Sequence, residues 1–97
     1  MNITDANQFQ PATISVPVGA AITWVNSGRT IHTVTDDASK AANPSDAQLP
    51  AGAQAWDSGN VGGGATFMHT FETPGEYTYF CSLHEFAGMI ARISVRG

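Results

Sequence analysis

Glu76-Tyr77-Thr78-Tyr79-Phe80-Cys81-Ser82-Leu83-His84-Glu85-Phe86-Ala87-Gly88-Met89 carries two kinds of signal in one run. Its first six residues predict a strand, Glu76 to Cys81, with Tyr77 and Tyr79 on one face. Pro74-Gly75, a strong turn signal, stands just before it. Beyond the run, Met89 to Val95 predicts a closing strand that carries Ile90, Ile93 and Val95. The residues between form a tight loop joining two adjacent strands. On it stand the only cysteine of the chain, a histidine and a methionine, at Cys-x2-His-x4-Met spacing. A loop whose ends are pinned by ladder hydrogen bonds holds such side chains at fixed positions.

Towards the N terminus the strand texture repeats. Ala12 to Val18 alternates, with Ile14, Val16 and Val18 on one face and Thr13, Ser15 and Pro17 on the other. Gly19 breaks it, and Ala20 to Asn26 gives a second strand with Ile22 and Trp24 on one face. Asn26-Ser27-Gly28 is a turn. Thr30 to Thr35 predicts a third strand, containing His32. Asp36 to Gln54 has no periodicity and is rich in Ala, Asp, Ser, Asn and Pro. It reads as a surface loop with room for a helical turn, long for a compact domain. A loop insertion without function is the plain reading of such a segment. Ala55 to Ser58 is a short strand and Gly62-Gly63-Gly64 a turn. Ala65 to Phe71 alternates, with Phe67, His69 and Phe71 on one face. Seven or eight short strands, with no internal repeat and no linker, describe an all-β chain: a β-sandwich or a Greek-key barrel.

The chain has 97 residues, enough for one core and too few for two, so residues 1–97 form a single domain. It is 42% hydrophobic and 12% charged, with a net charge of −4 and only four Lys and Arg residues. A nucleic-acid surface needs clustered basic side chains, and this chain has none. The acidity suits solubility and a basic partner. No run has the length of a membrane-spanning helix, and no signal-peptide pattern opens the chain. Met1 directly before polar residues fits a start added to a mature or excised domain. One cysteine excludes an internal disulfide, though not an oxidising compartment.

Soft thiolate and thioether sulfur beside imidazole nitrogen suits copper that cycles between Cu(I) and Cu(II). His32 supplies a second imidazole. Two histidines, a thiolate and a weak axial methionine make the donor set of a blue-copper electron-transfer site. On this reading Cys81 gives the dominant bond, His32 and His84 complete a trigonal plane, and Met89 lies on the axis. Backbone N–H groups from the loop and from near Thr33 are expected on the sulfur. The His84 ring edge is expected near solvent, within an apolar surface of Leu83, Phe86, Ala87 and Gly88 that suits small, transient redox encounters. Zinc is a rival, but a structural zinc site wants four strong ligands and thioether is a poor one. A Cys-His nucleophilic enzyme has the residue types but no oxyanion site or cleft to go with them. His69, between Phe67 and Phe71, is expected to be structural. Met68 is expected to pack, and Trp24 and Trp56 to lie in the core or at its edge.

With these residues in view, the chain resembles the cupredoxins, and among them the plastocyanin and pseudoazurin group. The resemblance runs through Phe9-Gln10-Pro11, Ile14-Ser15-Val16, Gly19 and Ile22-Thr23-Trp24-Val25-Asn26 to His32. It resumes at Thr70-Phe71-Glu72-Thr73-Pro74-Gly75-Glu76-Tyr77 and enters the ligand loop through Tyr79-Phe80-Cys81. It implies a Greek-key β-sandwich, one type 1 copper ion on His32, Cys81, His84 and Met89, and a monomeric one-electron carrier between larger redox proteins rather than an enzyme. It also implies an extracytoplasmic setting: periplasm, thylakoid lumen or cell surface. Two residues depart from the group. Leu83 stands where many relatives have proline before the second histidine, and Thr33 where plastocyanins usually have asparagine after the first. Two other roles fit a cupredoxin. A module cut from a larger copper enzyme or membrane-anchored chain would need extra histidines for a neighbouring copper, and His69 is the only spare. A copper storage or delivery protein would hold Cu(I) labile instead of cycling reversibly.

Overall fold

A computed structural model describes all of residues 1–97. Its strands, in chain order, are β1 (Asn2–Thr4), β2 (Gln8–Gln10), β3 (Thr13–Pro17), β4 (Ala21–Asn26), β5 (Thr35–Asp36), β6 (Trp56–Asp57), β7 (Thr66–Thr70), β8 (Gly75–Phe80) and β9 (Ile90–Arg96). They form two sheets, ordered β2-β1-β4-β7 and β3-β9-β8-β5-β6. Both sheets are mixed, since β1 runs parallel to β4 and β3 parallel to β9. The expected all-β sandwich is thus the architecture observed. The count of nine strands exceeds the seven or eight expected because of the β1–β2 hairpin. Each of its strands has three residues and presents one apolar side chain inward, Ile3 opposite Phe9, which is too little for a periodic signal.

Period two sets the inward faces. In β4, Ile22, Trp24 and Asn26 are buried while Ala21, Thr23 and Val25 face out. In β9, Ala91, Ile93 and Val95 are buried. A one-residue slip would turn each set to solvent, so burial fixes the register. The sheets are joined through their largest side chains. Trp24 of one sheet meets Tyr79 of the other edge to face, with ring centroids 5.6 Å apart at 79°. The Trp24 indole N–H donates to the Tyr79 hydroxyl at 3.2 Å, so the polar tips of both rings are used inside the core. Trp56 lies at the core edge against Phe71, Tyr77 and Tyr79.

Two expectations need correction. Met68 does not pack: it is on the outer side of β7 and 63% exposed. Thr30 to Thr35 is not a continuous strand. Only Thr35 and Asp36 join a ladder, and His32 makes an isolated bridge with Val61. The backbone donors between go elsewhere: the Thr33 N–H to the Cys81 sulfur and the Val34 N–H to the Ser58 hydroxyl. His32 through Asp36 are all buried, so no face is left to alternate.

The long polar segment is a loop as expected, with two 3₁₀ turns, Ala38–Lys40 and Pro44–Asp46. Asp37 and Asn43 cap them by accepting the N–H of Ser39 and Ser45. The segment is anchored to the sandwich. Gln48 and Thr78 exchange both backbone hydrogen bonds, at 2.9 and 3.1 Å, and Lys40 pairs with Asp57 at 2.8 Å.

Candidate metal centre

His32 is held in place from several sides. Its backbone N–H and C=O both bond to Val61. Upstream, buried Asn26 at the end of β4 donates its amide to the carbonyls of Thr30 and Val61, at 2.7 and 2.9 Å. Its side-chain oxygen accepts the Gly28 N–H at 3.0 Å. Asp5 accepts the N–H groups of Arg29 and Thr30. These bonds shape the turn that delivers His32 to the site.

The second group comes from the β8–β9 connection. Cys81 follows β8 directly, and its N–H donates to the Met89 carbonyl at 3.1 Å, closing the loop at its base. The His84 N–H donates to the Cys81 carbonyl at 3.1 Å, which turns the chain back. A single 3₁₀ turn, Glu85–Ala87, follows, and Gly88 ends it in the left-handed region at φ 81°. Glycine adopts that conformation without the penalty a Cβ brings. Cys81 and Met89 are buried, while His84 is only half-buried.

The loop and the His32 segment meet at the sulfur. Cys81 Sγ lies 3.7 Å from His32 Nδ1 and 3.4 Å from His84 Nδ1. The two imidazole rings are 4.8 Å apart, centroid to centroid. The donor atoms of His32, Cys81 and His84 all lie within 4.8 Å of one another. For comparison, zinc–nitrogen bonds of about 2.0 Å and zinc–thiolate bonds of about 2.3 Å put sulfur and nitrogen on one ion roughly 3.5–3.7 Å apart. The spacing therefore fits a single metal ion of similar size held between sulfur and nitrogen. Burial, and then the neighbouring His84, hold the His32 pKa below its ordinary value. His32 is thus kept neutral, the form that binds metal. The donor set, soft sulfur with imidazole, is compatible with one type 1 copper ion.

Thr33 ties the two ligand segments together. Its N–H donates to Cys81 Sγ at 3.3 Å, the backbone donor to sulfur expected near this residue. Its hydroxyl oxygen accepts the Ser82 N–H at 2.8 Å. The same hydroxyl contacts Thr35 Oγ1 at 2.9 Å, and Thr35 donates to Asp57 at 3.0 Å. A carboxylate only accepts, so the direction of the chain is fixed: Ser82 to Thr33 to Thr35 to Asp57. Burial pushes the Asp57 carboxyl up, but Lys40, the Gly59 N–H and the Thr35 hydroxyl outweigh it and leave the pKa below its usual value.

Of the residues singled out in the sequence, His32, Cys81 and His84 converge. Met89 is buried, and its backbone carbonyl accepts the Cys81 N–H at 3.1 Å. His69 does not join the cluster; its ring stacks on Trp56 at 4.4 Å. Leu83 and Phe86 are 45% and 88% exposed, so an apolar surface flanks His84. Ser82, Glu85 and Asp57 carry no signal of their own in the sequence: their partners lie 49, 43 and 22 residues away, and only the fold brings them together. Asn26 is legible as the start of a turn, but its bond to Val61, 35 residues away, comes from the fold.

Comparison with known proteins agrees with this site. The family model described as copper binding proteins, plastocyanin/azurin family, matches residues 2–96. Chloroplastic plastocyanin of Tetradesmus obliquus is 34% identical over 88 residues, covering 91% of this chain; the chain spans 58% of that relative's length. Among solved structures, a purple cupredoxin from Nitrosopumilus maritimus superposes with a TM-score of 0.72 at 22% identity, over 97% of this chain and 95% of the other. A copper-containing nitrite reductase from Thermus scotoductus matches with a TM-score of 0.75 at 25% identity, over 99% of this chain but only 22% of the enzyme.

Proposed function

Because the chain belongs to the plastocyanin/azurin family of copper-binding proteins, we propose that it is a one-electron carrier between larger redox proteins and not an enzyme. His32, Cys81, His84 and Met89 are the residues that would hold its copper ion. The observation that carries this reading is the placement of Cys81 Sγ within 3.4 and 3.7 Å of the two Nδ1 atoms.

Bound copper supplies a single-electron Cu(I)/Cu(II) couple. The protein's part is to hold the donors still. His32 is locked by its bridge to Val61 and by the turn that Asn26 organises. The Thr33 N–H on the sulfur offsets thiolate charge and orients the side chain. The Ser82–Thr33 bond keeps the two ligand segments at constant separation. Donors that keep their places in both oxidation states leave little to rearrange, which lowers the barrier to electron transfer. The half-buried His84 ring is the route to solvent. Leu83, Phe86 and Gly88 around it form the docking surface for transient partners, with the protein acting as a monomer in an extracytoplasmic compartment. No helix is long and apolar enough to cross a membrane.

The likeness to part of a nitrite reductase favours one second reading, a copper module of a larger enzyme. The spare histidine, His69, is stacked on Trp56 and not among the clustered donors, which speaks for the carrier.

The test is to add Cu(II) to the purified protein, record the visible spectrum, and follow with voltammetry. An intense thiolate-to-copper band, lost in Cys81→Ser, together with a reversible one-electron wave, is the expected outcome. A weak, featureless spectrum would remove the copper-carrier reading. A band without reversible cycling would point to copper storage.

A further inference from the structure

Glu85 follows His84 and has no place in the donor set, yet both of its carboxylate oxygens are engaged. The Ala42 N–H donates to Oε1 at 2.8 Å and the Asn43 N–H to Oε2 at 3.0 Å. Ala42 and Asn43 lie between the two 3₁₀ turns of the long polar segment. That segment is fixed to the sandwich independently, by the Lys40–Asp57 ion pair and the Gln48–Thr78 bonds. It therefore offers Glu85 a firm anchor. On the other side of His84 stands Leu83, whose φ is not restricted by a ring as a proline's would be. The ligand loop thus has no proline ring before His84 and has a two-point attachment directly after it.

We propose that Glu85 is a positioning residue for the copper centre. By forking onto the Ala42 and Asn43 amides it clamps the His84 loop against the 37–54 segment, and that segment serves as a buttress of the metal site rather than a passive insertion. The proposal rests on the copper reading above. A carboxylate suits the task because each of its two oxygens accepts one amide in a charge-assisted bond. A glutamine keeps only one acceptor oxygen and would hold one of the two amides.

The experiment compares wild type, Glu85→Gln, Glu85→Ala and Glu72→Ala, the last removing an equal charge from an exposed side chain elsewhere. Cu(I) affinity is measured by chelator competition, the thiolate band by absorption, and amide exchange at Ala42 and Asn43 by NMR. Glu85→Ala should lose affinity by about ten-fold, the scale for an outer partner of a ligand, with a changed thiolate band and faster exchange at both amides. Glu85→Gln should fall between it and wild type, and Glu72→Ala should match wild type. The proposal is overturned if Glu85→Ala keeps its band and its affinity within about two-fold of wild type. It is equally overturned if all three variants shift alike, since charge alone would then explain the effect. A wild type that forms no thiolate band overturns the copper reading and this proposal together; a normal wild type with unaltered variants overturns this proposal alone.

Discussion

Thr33 reaches the other loop twice, its N–H donating to the Cys81 sulfur and its hydroxyl oxygen accepting the Ser82 N–H. A short β-branched side chain thus does the bridging that a longer amide could do. Three residues on, Asp36 presents the opposite case. It is fully buried and neither carboxylate oxygen has a hydrogen-bond partner. Burial, and then the charge of Asp37, push its pKa from 3.8 up to about 8. Between those values the folded chain holds a proton that the unfolded chain has released. Unfolding then releases a proton, so the stability tied to this group is full below the unfolded value and falls as pH rises towards the folded one. Asp36→Asn removes the titration. Urea denaturation of both proteins from pH 5 to 9 should show wild type losing stability relative to the variant by up to about 1.4 kcal/mol per pH unit below pH 8. Parallel curves would show that Asp36 is ionised inside the fold.

At the scale of elements, the strands with one buried face were legible. The alternation in Ala21–Asn26 reported its inward face because β4 has solvent on the other side. The Thr30–Thr35 reading failed as a strand because that stretch is buried all round and its amides are drawn to sulfur and hydroxyl. The clustered His32, Cys81 and His84 were legible by residue type, and Cys81 and His84 share one short loop. The supports of the site were not: Asp57 and Glu85 work through partners distant in sequence, and Asn26, legible only as the start of a turn, also reaches Val61. The loop also depends on one backbone conformation, Gly88 at φ 81°. An added Cβ there would meet no atom within 4 Å, so Gly88→Ala tests backbone strain without a clash. It should destabilise the metal-free protein by about 1 kcal/mol in urea unfolding. Because the strain falls next to Met89, the visible spectrum of the copper form should shift as well. A stability unchanged from wild type would mean that the loop settles readily into another turn.

The whole molecule sets how two proteins can approach the His84 edge. The chain carries a net charge of −4, so two copies repel at long range. Close to the site the surface is different in kind: Leu83 and Phe86 are 45% and 88% exposed and flank the half-buried His84. If electrons leave by that edge, the apolar contact must form for each transfer, and a charge placed in it must be desolvated every time. Electron self-exchange, followed by NMR line broadening in mixtures of the reduced and oxidised protein, isolates this step without a foreign partner. Phe86→Lys should slow it by about ten-fold, because like charges then face each other across the contact. Met68 provides the control. It is 63% exposed on the outer side of β7 in the other sheet, so Met68→Lys makes the same change in net charge away from the site. That variant brings both copies nearer to neutrality and should leave self-exchange unchanged or slightly faster, an effect that added salt erases. If both variants respond alike, long-range charge governs the encounter, and the surface around Leu83 and Phe86 is not where electrons cross.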